Sequence, residues 1–186
     1  DTGGNYVGGS VLEQGVMGGA GASVAGSAWA VQIADAAPLL NGVTIRTNRG
    51  TGVTATLAEN RPAGTLKVLN SEITGNQTGV NLRYPTNRVL VQGNWIHDNT
   101  GNGLVMAAYP YGTSTVTENT VSRNSGSGVQ GDSCYGTLDL TNNTVVSNQR
   151  GVVITGCGGS GTTCRAGAGS AVRTKTSAPS SGMSSS

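Results

Sequence analysis

The only histidine in the chain, His97, is followed directly by Asp98, and Ser122 and Arg123 come 25 residues further on. An imidazole with a carboxylate and a guanidinium in reach is a grouping able to take a proton from a substrate, with His97 or Arg123 as the base. His97, Asp98 and Arg123 are therefore the candidate catalytic residues. The competing reading is an exposed turn in which these charges only compensate one another. A second grouping is aromatic: Tyr84, Tyr109, Tyr111 and Tyr135, with Arg83, Arg88 and Asp132 close to them in sequence. Such rings stack on the apolar faces of ring-shaped ligands while the charged neighbours reach polar substituents. Rings that merely cover loop edges are the plainer alternative. The third grouping is Cys134, Cys157 and Cys164. No second histidine accompanies them and the thiols are not closely paired, so no metal site is expected. The sequence has no phosphate-binding loop, dinucleotide fingerprint or serine nucleophile elbow, and no cofactor is expected. Each grouping works only if residues some two dozen positions apart are brought side by side.

An internal repeat supplies that condition. Five segments superimpose: 43–48 (VTIRTN), 71–76 (SEITGN), 94–99 (NWIHDN), 119–124 (NTVSRN) and 143–148 (NTVVSN), with starts separated by 28, 23, 25 and 24 residues. In every copy the third position is Ile or Val and the sixth is Asn. A Gly followed by a branched apolar residue comes shortly after: Gly52-Val53, Gly79-Val80, Gly103-Leu104, Gly128-Val129 and Gly151-Val152. Ahead of each copy lies an apolar position, Leu40, Val68, Val91, Val116 or Leu140. Alternation at period two over runs this short is the pattern of strands.

A period near 24 with three short strands per repeat predicts a solenoid whose coils stack at the inter-strand spacing of about 4.8 Å. Inward Val, Leu and Ile would form aliphatic columns. The sixth-position residues Asn48, Asn76, Asn99, Asn124 and Asn148 would queue as a ladder, each amide both donating and accepting along the axis. Asp could not replace them without repulsion. The following Gly is expected to supply a tight or left-handed turn. Stacking also sets Thr74 and Gly75 on one side of His97 and Asp98, and Ser122 and Arg123 on the other. It places the tyrosines of three consecutive coils on about the same flank. Cys134 and Cys157, each six residues after a repeat glycine, then fall at equivalent positions on adjacent coils, at the separation a disulfide needs. Cys134–Cys157 is the expected pair with Cys164 left free; Cys157–Cys164 competes.

The pattern N-x-I/V-x-x-N-x(2,3)-G-V/L resembles the right-handed parallel β-helix repeat of pectin- and alginate-degrading enzymes and of many secreted bacterial proteins. The resemblance covers about residues 38–156 and implies an all-β, right-handed parallel β-helix of about five or six coils. It does not select an activity, because the same architecture carries lyases, hydrolases, epimerases, adhesins and phage spikes. The hydrolases of this resemblance use clustered Asp and a Gly-His-Gly segment, and the lyases a Lys or Arg base near calcium-binding carboxylates. This sequence has neither the Asp cluster nor the Gly-His-Gly segment, and its acids are dispersed.

Composition agrees with this architecture. Of 186 residues 31 are Gly, and there is no Phe, so a core must be built from aliphatics and long helices are disfavoured. No apolar run is long enough to span a membrane. The nine acids all precede residue 140 and outnumber the eight basic residues of the body; the overall +2 arises from Arg165, Arg173 and Lys175. A body of that charge lacks the footprint for nucleic acid. Residues 1–26 read as a Gly- and Ala-rich lead-in or degenerate coils, 27–164 as the β-helix, and 165–186 as a disordered Ser-rich tail. The opening Asp1 and Thr2, with no Met and no signal-like stretch, read as a mature product or an excised piece. A disulfide would place the protein outside the cell or at its surface, with the periplasm as an alternative. The expected function is polysaccharide binding, with or without processing, along the tyrosine flank. A structural or adhesive solenoid that self-associates through its open ends is the alternative, and a polysaccharide lyase a second one.

Overall fold

The computed structural model describes residues 11–19, 29–34, 36–56, 64–83, 88–107, 113–132 and 137–155, together with the backbone of 163–166 and 171–172. Among these residues every regular element is a short strand, and all pairings are parallel. No helix among them is long and apolar enough to cross a membrane.

The strands form three sheets. The first contains Val11–Glu13, Leu39–Asn41, Thr65–Leu69, Arg88–Gln92, Thr113–Thr117, Thr137–Thr141 and Thr163–Ala166, in that order. The second contains Val16–Gly18, Thr44–Arg46, Glu72–Thr74, Trp95–His97, Thr120–Ser122, Thr144–Val146 and Ala171–Val172. The third contains Trp29–Ala34, Thr51–Thr56, Thr78–Arg83, Leu104–Ala107, Ser127–Asp132 and Arg150–Thr155. The chain visits the sheets in turn, one strand each, and every strand lies on its equivalent from the previous circuit. This is the expected solenoid.

The period-two pattern decides which side chains point inward. In Thr65–Leu69 only Leu66 and Val68 are buried, and in register beside them lie Val89 and Val91. The second sheet contributes one inward residue per coil: Ile45, Ile73, Ile96, Val121 and Val145 form a single file. Val53, Val80, Leu104 and Val129 make the corresponding file of the third sheet. One inward position departs from the rule. Ser114 is fully buried between Val89 and Leu138, and its hydroxyl has no hydrogen-bond partner.

The glycines take a different role from the one the sequence suggested. The left-handed residue at each corner between the second and third sheets precedes the ladder Asn: Thr47, Gly75, Asp98, Arg123 and Ser147 all have positive φ. A matching file, Gln14, Gly42, Asn70, Gly93, Glu118 and Asn142, turns the corner between the first and second sheets. One left-handed residue bends the chain sharply enough to start a new sheet, at a steric cost that the stacked hydrogen bonds offset. The Gly of each Gly-Val pair is needed for space instead. A Cβ on Gly79 would sit 2.5 Å from the Gly103 carbonyl oxygen and 2.8 Å from Ile96 Cγ2.

At the ends, Val11–Glu13 and Val16–Gly18, from the segment read as a lead-in or degenerate coils, pair in register with the next coil. Thr163–Ala166 and Ala171–Val172 carry two sheets past residue 165, where the sequence suggested that regular structure ends. Parallel pairing is made by backbone groups, so a strand can add to an edge without apolar periodicity of its own.

Candidate functional site

The sixth-position asparagines are queued as expected. Asn76, Asn99, Asn124 and Asn148 are all buried, and each Oδ1 accepts twice from the previous coil, from the backbone N–H and from the Nδ2 of the preceding Asn. Each Nδ2 also donates to a backbone carbonyl of the coil before, as Asn99 does to Ile73 at 3.3 Å. The amides thus replace the sheet bonds that the left-handed corner interrupts. A second ladder runs through Ser71, Asn94, Asn119 and Asn143 at the opposite end of the same strands. The sequence reading missed it, although Asn at the first repeat position in three consecutive copies was its visible signal. The two ladders clamp the second sheet between rigid corners and fix its outward side chains.

On that outer face lies the His97 cluster. Trp95 and His97 flank the inward Ile96 and so project outward together. Their rings stack with centroids 3.7 Å apart and planes inclined at 25°. The indole remains exposed while the imidazole is almost covered. Parallel pairing sets Glu72 beside Trp95 and Thr74 beside His97 on one side, with Thr120 and Ser122 on the other. The neighbours expected for His97 are those observed. His97 Nδ1 lies 2.6 Å from Asp98 Oδ2, and Nε2 lies 3.1 Å from Glu72 Oε1. Thr74 Oγ1 approaches Nδ1 at 3.3 Å. Arg123, at the left-handed corner one coil on, grips Asp98 with two hydrogen bonds, Nε to Oδ1 at 2.8 Å and Nη2 to Oδ2 at 2.7 Å. Its guanidinium carbon stands 5.9 Å from the centre of the Trp95 ring.

The electrostatics follow from these contacts. The Arg123 hydrogen bonds, and next the His97 contact, lower the Asp98 carboxyl to about 2. The same pairing raises the Arg123 guanidinium above its ordinary value. Both carboxylates face opposite nitrogens of one ring, so they do not converge on a common point. Among the described residues no three His, Cys, Asp or Glu side chains gather to hold a metal ion. A general base needs a free lone pair directed at substrate. Here each imidazole nitrogen has a carboxylate neighbour, and Arg123 is held by Asp98. As arranged, the cluster is a hydrogen-bonded support beneath an exposed indole. Ser122, in register with His97, is buried with its hydroxyl unpartnered.

Glu72 and Trp95 were not singled out from the sequence, yet both occupy the second repeat position, and aligning copies at that position puts them side by side. Of the tyrosine flank, Tyr84, Tyr109, Tyr111 and Tyr135 lie outside the described residues. Arg83 and Asp132 are described: they share one outer row of the third sheet with Ala107 between them. Arg83 Nε donates to Asn81 Oδ1 at 3.4 Å, and Asp132 accepts from Gln130 Nε2 and Thr155 Oγ1. Cys134 and Cys157 also lie outside the described residues. The backbone of Cys164 falls in register with Leu138.

Three parallel sheets wound by one chain, inward aliphatic files and asparagine-lined corners define a parallel β-helix. A family profile described as right handed beta helix region matches residues 17–166. The match spans most of the chain, and the protein belongs to that family. No curated protein and no solved structure matches it.

Proposed function

We propose that this β-helix is a secreted or cell-surface protein that binds polysaccharide along its outer surface. The observation that supports the reading best is Trp95. It is a large aromatic left 44% exposed on the outer face of a sheet, while its partner His97 is 6% exposed. Stacking on His97, with Arg123 close by, holds the ring in place before any ligand arrives, so little freedom is lost on binding. Its row continues through Thr44, Glu72, Thr120 and Thr144, each one strand spacing from the next. An apolar ring face beside hydroxyl and carboxylate groups is the arrangement that a sugar ring with its hydroxyls complements. The tyrosine-bearing turns foreseen from the sequence would extend the contact to a second flank.

The test is affinity electrophoresis against a panel of soluble glycans. The wild-type protein should be retarded by at least one of them, and Trp95→Ala should weaken that binding by about tenfold. The Tyr109→Ala, Tyr111→Ala double variant measures the second flank separately. Retardation by no glycan would end the proposal, and so would full retention in both variants. Unsaturated products from a uronate polymer would instead favour the lyase reading.

The structural or adhesive reading has its own observation. Among the described residues, four of the five large exposed apolar side chains, Val11, Leu12, Val16 and Trp29, lie on the first described coil. Concentration-dependent assembly in light scattering, with no glycan bound, would favour it.

A further inference from the structure

We infer that the Trp95 surface selects neutral sugar over uronate-bearing polymer; this rests on the polysaccharide reading and specifies its ligand. The reason is the sign of the charge around the ring. Glu72 is the direct register neighbour of Trp95, and its side chain is 38% exposed, so its carboxylate borders the stacking face while one oxygen contacts His97. Asp98 is half-exposed but paired with Arg123, so that pair adds no net charge. Glu118, at the corner two residues before Thr120, adds a third carboxylate, with Gln92 Nε2 donating to it. Among the described residues the cation set against the ring is Arg123, its guanidinium carbon 5.9 Å from the ring centre, and its Nε and Nη2 both donate to Asp98. His97 lies beneath the indole between its two carboxylates, not beside the exposed ring face. Arg46 stands in the row of His97 but two coils away, about 10 Å, which is a full screening length at ordinary salt.

A sugar ring on Trp95 therefore meets the Glu72 carboxylate at its rim and a guanidinium already paired with Asp98. Hydroxyl groups donate well to carboxylates, and such charge-assisted bonds are stronger than neutral ones. A uronate carboxylate in the same place would face the Glu72 carboxylate, one strand spacing from Trp95. It would also lack the forked guanidinium partner that carboxylate recognition normally uses. The same carboxylates disfavour a phosphate-bearing strand, so base stacking of nucleic acid on Trp95 does not fit the surface.

The experiment compares one soluble neutral β-glucan with polygalacturonate of similar length. Binding is read by tryptophan emission in a Trp29→Phe background, where Trp95 alone reports, and is checked by affinity electrophoresis. The neutral polymer should bind at least about fivefold tighter at low ionic strength. Glu72→Gln, which keeps the shape and an oxygen acceptor for His97, should narrow that ratio about fivefold by admitting the uronate polymer. Added salt should narrow the ratio in the wild type, as expected of screened repulsion. Tighter binding of polygalacturonate that is lost in Trp95→Ala would overturn the charge argument and leave polysaccharide binding standing. An unchanged ratio in Glu72→Gln would overturn it too, and failure of both polymers to bind would overturn this inference while the wider glycan panel decides the polysaccharide reading.

Discussion

Removing one side chain from the middle of the asparagine ladder should cost the protein a large share of its stability. Asn99 is the best site, because it is 1% exposed and has ladder partners on both sides. Its Oδ1 accepts from the Asn76 backbone N–H at 2.9 Å and from Asn76 Nδ2 at 3.1 Å. Its Nδ2 donates to Asn124 Oδ1 at 2.8 Å and to the Ile73 carbonyl at 3.3 Å. In Asn99→Ala all four bonds are lost. Asn124 Oδ1 keeps the Asn99 backbone N–H, and Asn76 Nδ2 keeps its bond to the Ile45 carbonyl. Of the four groups bonded to the Asn99 side chain, three carry the main cost: the Asn76 N–H, the second Nδ2 hydrogen of Asn76, and the Ile73 carbonyl. At about 1 kcal/mol or somewhat more for each, the cost is about 3–4 kcal/mol. With a urea slope of about 2 kcal/mol per molar, the unfolding midpoint should fall by about 1.5–2 M. The exposed Thr120→Ala is the control and should change stability by about 0.5 kcal/mol or less. Because each coil touches only its neighbours, hydrogen exchange should show the loss concentrated between residues 71 and 124. If Asn99→Ala unfolds within about 1 kcal/mol of the wild type, the ladder does not sustain the fold and the reasoning is refuted.

Two further outcomes are expected. Ser114→Ala removes a buried hydroxyl that has no partner, and should raise stability by about 1 kcal/mol in the same urea titration; a destabilised variant would mean that the hydroxyl is satisfied in solution. The Asp98 carboxyl is lowered to about 2 in the folded protein from an ordinary 3.8, so its contribution is complete above about pH 4 and is lost as the pH falls through 2. Asp98→Asn tolerates the left-handed corner, and should cost about 1 kcal/mol at neutral pH, discounted because the pair is half-exposed, with the difference from wild type vanishing toward pH 2. A difference that stays constant down to pH 2 would show that the ion pair contributes nothing.

The shared support of fold and site explains why these effects should be separable. The ladders lie at the corners and the His97 cluster on the strand between them, so a change in Trp95 or Glu72 leaves the amide files intact. Asn99 is the exception: it directly follows Asp98, and its loss should loosen both.

The repeat, read from residues alone, determined the winding of the chain, the inward files and one ladder, because a period-two pattern recurring every two dozen residues admits one economical way of burying its apolar positions. It also placed Thr74, His97, Ser122 and Arg123 together, since register follows from aligning the copies. It misassigned the glycines, because the need for space beside Gly79 and the need for positive φ at Gly75 look alike in a sequence. The tertiary structure decided what alignment cannot express. That Trp95 lies over His97 while Glu72 and Asp98 take opposite ring nitrogens depends on side-chain rotamers across three coils. Only that arrangement makes His97 the covered support of an exposed aromatic face.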